Sequence, residues 1–393
     1  MSDTLKTARY RGKGKQQPEG VWQGLPEIDK KSLTDPAGYI ASRDLAAAVD
    51  VAATLGMPLL LTGEPGSGKS RLADSIAWEM GMGEPLEFVV KSDTQAQELF
   101  YRYDLIGRYN ASYDQGVDEK RLASRFLRLE AMGKALLYAV GGNLAREALG
   151  LTDAQIAEQL PHYDGSPRRS VVLIDEIDKA PRDVPNDLLA EIDKGEFHVP
   201  ELEVALQREV RIALAGPGEG GRRLDPLVVI TSNSEKTLPD AFLRRCIYFH
   251  VPFPAFGEDA PPDESPENKS PKNESVTVER IVAQRFYERY REHHGDLVGD
   301  AISLFRYIRQ DFNAERKPSM AELLNWLDYL LPRGKNAGFP LGKRLWELDP
   351  AVLSLGVRCL LLKKRDDQER FGRLIEGKSS EALEEIIEDP REG

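Results

Sequence analysis

The stretch "GEPGSGKS", Gly63 to Ser70, decides the fold. It has the form G-x-x-x-x-G-K-[ST]. The short apolar run "PLLLT" precedes it, and "RLADSIAWEMG", with apolar residues at helical spacing, follows it. Strand, glycine-rich turn and helix in that order make an anion cradle. The glycines let successive backbone N–H groups curl around phosphate oxygens, at a helix N-terminus that already favours negative charge. Lys69 would pair with the outer phosphates, and Ser70 would offer its hydroxyl to Mg²⁺. The residues assigned to the nucleotide are Gly63, Glu64, Pro65, Gly66, Ser67, Gly68, Lys69, Ser70 and Arg71, joined below by Asp175.

"VVLIDEIDKA" supplies acids. A near-continuous aliphatic run reads as a central strand of a parallel sheet, and it delivers two carboxylates at its carboxyl edge, where open α/β sheets bind ligands. Asp175 and Ser70 are the candidate metal-holding pair, and Glu176 is placed to polarise an attacking water. The plainer reading is a pair of helix-capping acids. "VVITSN" ends in Asn233, whose amide could donate and accept at the attacking water or the terminal phosphate. A turn-forming asparagine explains the same residue. "LPDAFLRRC" then sets Arg244 and Arg245 side by side, before the apolar, aromatic run "IYFHVPFP".

Composition narrows the classes. The chain has 393 residues, 41% hydrophobic and 30% charged, with a formal net charge of −12. That length accommodates two or three domains with real cores. The acidic balance argues against a dedicated nucleic-acid binder. Cys246 and Cys359 lie far apart, without metal-ligand spacing, which fits a reducing compartment. No apolar run reaches the roughly 18 residues of a membrane span, and "MSDTLKTARYRGKGK" has no apolar signal core. A cytoplasmic protein with no membrane segment is expected.

Strand and helix signals alternate from residue 36 to 254, which predicts a doubly wound α/β domain. Residues 1–35 read as a flexible arm. "AFGEDAPPDESPENKSPKNES" predicts a disordered linker over 255–276, and 277–393 is helical throughout. Residues 119–160 read as helical, with Thr152 as an N-cap. "EFHVPELEVALQREVRIALAG" reads as a hairpin-like excursion. Ser92 and Asp93 are read as a helix cap, and His293–His294 as surface residues.

In their order and spacing, "GEPGSGKS", "LIDEIDKAPRDVPNDLLAEID", "VVITSNSEKTLPDAFLRRCIYFHVPFP" and "KPSMAELLNWL" resemble the MoxR group of AAA+ ATPases, over residues of about 36–335. The resemblance implies an AAA+ P-loop NTPase core with a parallel doubly wound sheet, followed by an all-helical lid. It implies ATP with Mg²⁺, a homo-oligomeric ring, commonly a hexamer, and nucleotide held between subunits. Arg244 and Arg245 would then reach the neighbouring subunit's γ-phosphate; cations favourable to a helix end are the plainer reading. Phe197 and His198 fall where such proteins carry a pore-facing hairpin. Lys91, Ser92 and Asp93 fall where some restrain the catalytic glutamate. The arginine that usually opens the lid helix is replaced by Ser319, leaving Arg316 or Lys317 as candidate sensors. The implied role is chaperone-like remodelling of a protein substrate, with a von Willebrand factor A protein as a separate partner. The alternatives are an NTP-driven motor acting with a nuclease, as in McrB-like relatives, and a slow nucleotide-dependent assembly switch.

Overall fold

The computed structural model describes residues 35–111, 123–160, 163–214, 223–233, 237–257, 276–292, 296–331, 344–348, 350–375 and 384. The expected arm up to residue 34, residues 258–275 of the expected linker, and His293–His294 lie outside the described residues. Two compact units emerge. One comprises Arg43–Glu64 and Lys69–Pro252; the other comprises the residues up to Ser42, Pro65–Gly68, and the chain from Phe253 onward.

The first unit is built on five parallel strands: β1 Leu59–Thr62, β2 Leu86–Val89, β5 Val171–Asp175, β8 Leu227–Ser232 and β9 Ile247–His250. Their order is β2-β5-β8-β1-β9. The aliphatic runs "LLLT", "VVLI" and "LVVITS" are buried along their length, as central strands must be when helices cover both faces. The edge strands β2 and β9 alternate in exposure instead. Leu60 pairs with Ile230, and Ile174 also pairs with Ile230, so β8 is held on both sides. β1 lies between β8 and β9, and the chain leaves it for the far edge at β2. That reversal places the turn after Thr62 at the ligand-binding edge of the sheet.

Residues 119–160 are not a continuous helix. Tyr101–Tyr103 (β3) and Leu127–Leu129 (β4) form a small antiparallel pair, and helices follow at Ala131–Val140, Gly142–Leu149 and Asp153–Gln159. A three-residue strand carries too little alternation to be seen beside helical neighbours. Thr152 does cap its helix: its hydroxyl accepts from Gln155 N, and the Gln155 side chain returns to Thr152 N at 2.8 Å. Ser92 and Asp93 do not cap a helix. They lie in an exposed turn closed by buried Thr94, whose hydroxyl accepts from Lys91 N at 2.8 Å.

The excursion after Gly195 is an antiparallel pair, Glu196–His198 (β6) with Arg211–Ala213 (β7), around a helix at Pro200–Leu206. Phe197 does not face solvent. It is 4% exposed, with its ring 5.6 Å from Phe100 and 5.9 Å from Tyr101. Strand alternation fixes that Phe197 and His198 point oppositely, and packing gives the core side to the larger apolar residue. His198 is on the exposed side, between Glu196 and Glu209.

The second unit is helical: Val278–Glu292, Asp296–Gln310, Met320–Leu330, Pro350–Gly356 and Arg365–Ile375. Phe286, Phe305, Trp326 and Phe371 are fully buried in its core. Buried Asp300 accepts from Arg344 Nε at 2.9 Å and Nη2 at 2.8 Å, a bidentate pair that also receives Leu345 N. Among the described residues no helix is long and apolar enough to cross a membrane.

Because Phe197 anchors the hairpin through two aromatic neighbours, Phe197→Ala is expected to lower unfolding stability by about 3 kcal/mol or more. A urea titration measures this; a loss below about 1 kcal/mol would contradict the packing role.

Candidate nucleotide site

Polar residues converge at the carboxyl edge of β1, β5 and β8. After Thr62 the chain turns through Gly63, Gly66 and Gly68 at φ +144°, +75° and +91°. Glycine adopts these angles without a Cβ clash. At Gly66 space is also closed, since a Cβ there would sit 2.7 Å from the Ser319 hydroxyl. Buried Ser67 Oγ has no hydrogen-bond partner among the described residues. Glu64 and Pro65 are exposed, and Arg71 turns to Asp74 at 3.0 Å.

Lys69 opens the helix Lys69–Glu79 and is 5% exposed. Its ammonium donates to the Gly63 and Glu64 carbonyls, both at 2.9 Å. Burial lowers its pKa, and the nearby carboxylates of Asp175, Asp178, Glu176 and Glu64 pull it back up. Next to it, Ser70 Oγ donates to Asp175 Oδ1 at 2.8 Å. The pairing of Ile174 with Ile230 brings Asp175 beside Thr231. The Thr231 hydroxyl donates to the same Asp175 oxygen and accepts from Glu176 N at 3.0 Å.

Residues 58–246 match the family described as AAA domain, dynein-related subfamily. The five-stranded parallel sheet, with the glycine-rich turn after β1 at its carboxyl edge, fits that description. No curated protein matches the chain. AAA domains are nucleotide-hydrolysing P-loop ATPase domains that generally use ATP and Mg²⁺ and typically assemble as rings.

The chain's residues fit those ligands. Positive-φ glycines, an orphaned buried hydroxyl at Ser67 and a lysine folded onto loop carbonyls describe a cradle with donors available to an anion. Ser70 and Asp175 offer oxygen ligands, which suit a hard cation. Among the described residues no group of three or more His, Cys, Asp or Glu could hold a metal by itself. Mg²⁺ does not require one, because it takes one or two protein oxygens with substrate phosphates.

Glu176, the residue directly after β5, has φ +62°, a left-handed conformation uncommon outside glycine. Its carboxylate is tied to Lys179 at 2.5 Å, not to Ser92 or Asp93. Asn233 stands at the tip of β8, its N–H donated to buried Asp178 at 3.2 Å. Thr231 and Lys179 are absent from the sequence-derived set. A threonine buried near the end of an aliphatic strand is the available signal for the first, but its partner depends on strand register.

Arg244 and Arg245 follow the short helix Asp240–Leu243 and are exposed. Neither side chain has a hydrogen-bond or ion-pair partner among the described residues. They precede the amino end of β9, the edge of the sheet opposite Ser70 and Asp175. A four-residue strand spans about 13 Å, and β9 lies three strand spacings, about 14 Å, from β5. The pair therefore cannot reach the same subunit's Asp175. Of the candidate sensors, Arg316 is paired with Glu322 at 3.4 Å, and Lys317 is exposed. Ser319 caps the helix Met320–Leu330 in a capping box with Glu322.

Thr231→Val removes a donor to Asp175 and leaves Glu176 N–H without its acceptor. A loss of about 1–3 kcal/mol in a urea titration is expected, with Thr231→Ser retaining most of the stability. Equal stability in the valine and serine variants would contradict the role given to the hydroxyl.

Proposed function

We propose that this chain is a MoxR-like AAA+ ATPase that hydrolyses ATP between subunits of a homo-oligomeric ring, most simply a hexamer, to remodel or assemble a partner protein. The observation that carries the reading is the shared Asp175 oxygen, which joins the phosphate loop through Ser70 to the acidic strand and to Thr231.

Each residue then has a task. Gly63 to Ser70 bind the phosphates through backbone N–H groups, and Lys69 exchanges its loop carbonyls for phosphate oxygens. Ser70 and Asp175 would hold Mg²⁺, which supplies charge neutralisation at the phosphates when bound. Glu176 accepts the proton of the attacking water once Lys179 releases its carboxylate. Asn233 orients that water from the neighbouring strand tip. Arg244 and Arg245 stabilise charge developing on a neighbouring subunit's γ-phosphate; arginine suits this because it stays ionised and presents a planar fork of donors. The −12 charge favours a protein over a nucleic-acid substrate. A separate von Willebrand factor A protein is the proposed partner class, and the cytoplasm the proposed site of action.

Glu176→Gln should bind ATP and lose turnover by at least about 100-fold, the scale of a general base. Arg244→Ala and Arg245→Ala should lose turnover while isolated subunits still bind ATP. Steady-state ATPase assays with nucleotide-binding titrations read both. Unchanged turnover in Glu176→Gln would remove the role given to that carboxylate. A GTP preference or strong DNA stimulation of the wild type would favour the nuclease-coupled motor.

A further inference from the structure

The second, helical unit includes Pro65–Gly68 as well as the chain from Phe253 onward, so part of the phosphate loop belongs to it. The contact is made at Gly66. A Cβ there would meet Ser319 Oγ at 2.7 Å, Ser319 Cβ at 2.8 Å and Ala321 Cβ at 3.4 Å. The start of the helix Met320–Leu330 therefore lies directly against a loop residue that holds φ +75°. Ser319 touches the loop by van der Waals contact, because its hydroxyl is already engaged. The hydroxyl donates to Glu322 Oε2 at 3.1 Å and accepts from Glu322 N at 3.3 Å. Ser319 N donates to the same carboxylate oxygen at 2.7 Å. Arg316, a candidate sensor, is drawn into this cap by its own pairing with Glu322.

The turn that delivers Ser319 is held along its length. Arg370 donates to the Phe312 and Asn313 carbonyls, and buried Asp367 accepts from Glu315 N at 3.0 Å. The last hold comes from buried Arg309. Its guanidinium donates to the Pro318 carbonyl, one residue before Ser319, and its Cζ lies 3.5 Å from the Phe253 ring centroid. Phe253 in turn stacks on Phe305 at 6.2 Å. A buried charge held between a carbonyl and an aromatic face cannot shift without losing both. Arg309 accordingly fixes where Ser319 meets Gly66.

We infer that Ser319, positioned by Arg309, braces the phosphate loop from outside, so that the helical unit responds to an occupied loop and not to the terminal phosphate. The inference rests on the reading of Gly63 to Ser70 as the phosphate cradle. A glycine free of neighbours samples many backbone states, and ordering it on binding weakens affinity. Contact with Ser319 removes part of that ordering in advance. The phosphates that ATP and ADP share occupy such a loop, so both nucleotides gain equally. A side chain aimed at the γ-phosphate would favour ATP alone.

Binding titrations of full-length protein with ADP and with a non-hydrolysable ATP analogue, each with Mg²⁺, test this. Ser319→Gly removes the contact and costs little helix stability, because glycine is an acceptable N-cap. Its Kd should rise about threefold to tenfold, by the same factor for both nucleotides. Arg309→Met should also weaken both equally, with Arg309→Lys between it and the wild type. Because Arg309 acts through Ser319, adding Arg309→Met to Ser319→Gly should change Kd by less than about twofold. Should Arg309→Met not fold, Arg309→Lys combined with Ser319→Gly carries the same comparison. A loss confined to the ATP analogue would overturn the inference and make this turn a reader of the γ-phosphate. Wild-type affinity in Ser319→Gly, or losses that multiply in the double variant, would overturn it as well. Wild-type protein that binds neither nucleotide would instead sink the phosphate-cradle reading itself, and the brace with it.

Discussion

One oxygen, Asp175 Oδ1, accepts from both Ser70 and Thr231, and the candidate site is arranged around it. Ser70 lies in the first turn of the helix Lys69–Glu79 that follows the glycine-rich turn, and Thr231 lies in β8, the strand between β1 and β5. A shift in the β5–β8 register by one residue would turn Thr231 to the other face of the sheet and separate all three groups. The buried aliphatic runs prevent that shift, because it would also expose their apolar side chains. Core packing and site chemistry are therefore set by one constraint.

The parallel sheet gives the domain a chemical polarity. Its carboxyl edge gathers the phosphate loop, Asp175 and Glu176; its amino edge carries Arg168, Arg169, Arg244 and Arg245. Strand length alone separates the two sets by more than side chains can reach. Among the described residues no carboxylate pairs with Arg169, Arg244 or Arg245. Glu176 adds a restraint, since its left-handed backbone and its link to Lys179 fix the position of its carboxylate.

The phosphate loop was legible because its glycines, lysine and serine act locally, in consecutive positions. The strands around it were legible as unbroken aliphatic runs, and the five-stranded parallel sheet followed from their alternation with helices. Thr231 was not, because its role exists only through Asp175, 56 positions away. The short β4 was hidden by the helical patterning on both sides of it. The resemblance placed both Phe197 and His198 on a pore-facing hairpin; that Phe197 is the buried one depends on its packing against Phe100 and Tyr101, which a motif position does not carry. At Ser319 the departure from arginine was visible, but not its contact with Gly66, which depends on tertiary approach. Legibility thus tracked how local each interaction is.

The central claim is that one subunit does not complete the hydrolytic site. It is tested most directly by specific ATPase activity measured across a dilution series, with the assembly state followed in parallel by light scattering. The account predicts that activity per subunit rises with concentration in step with assembly and falls towards zero for monomers. Constant activity per subunit through dissociation would contradict it.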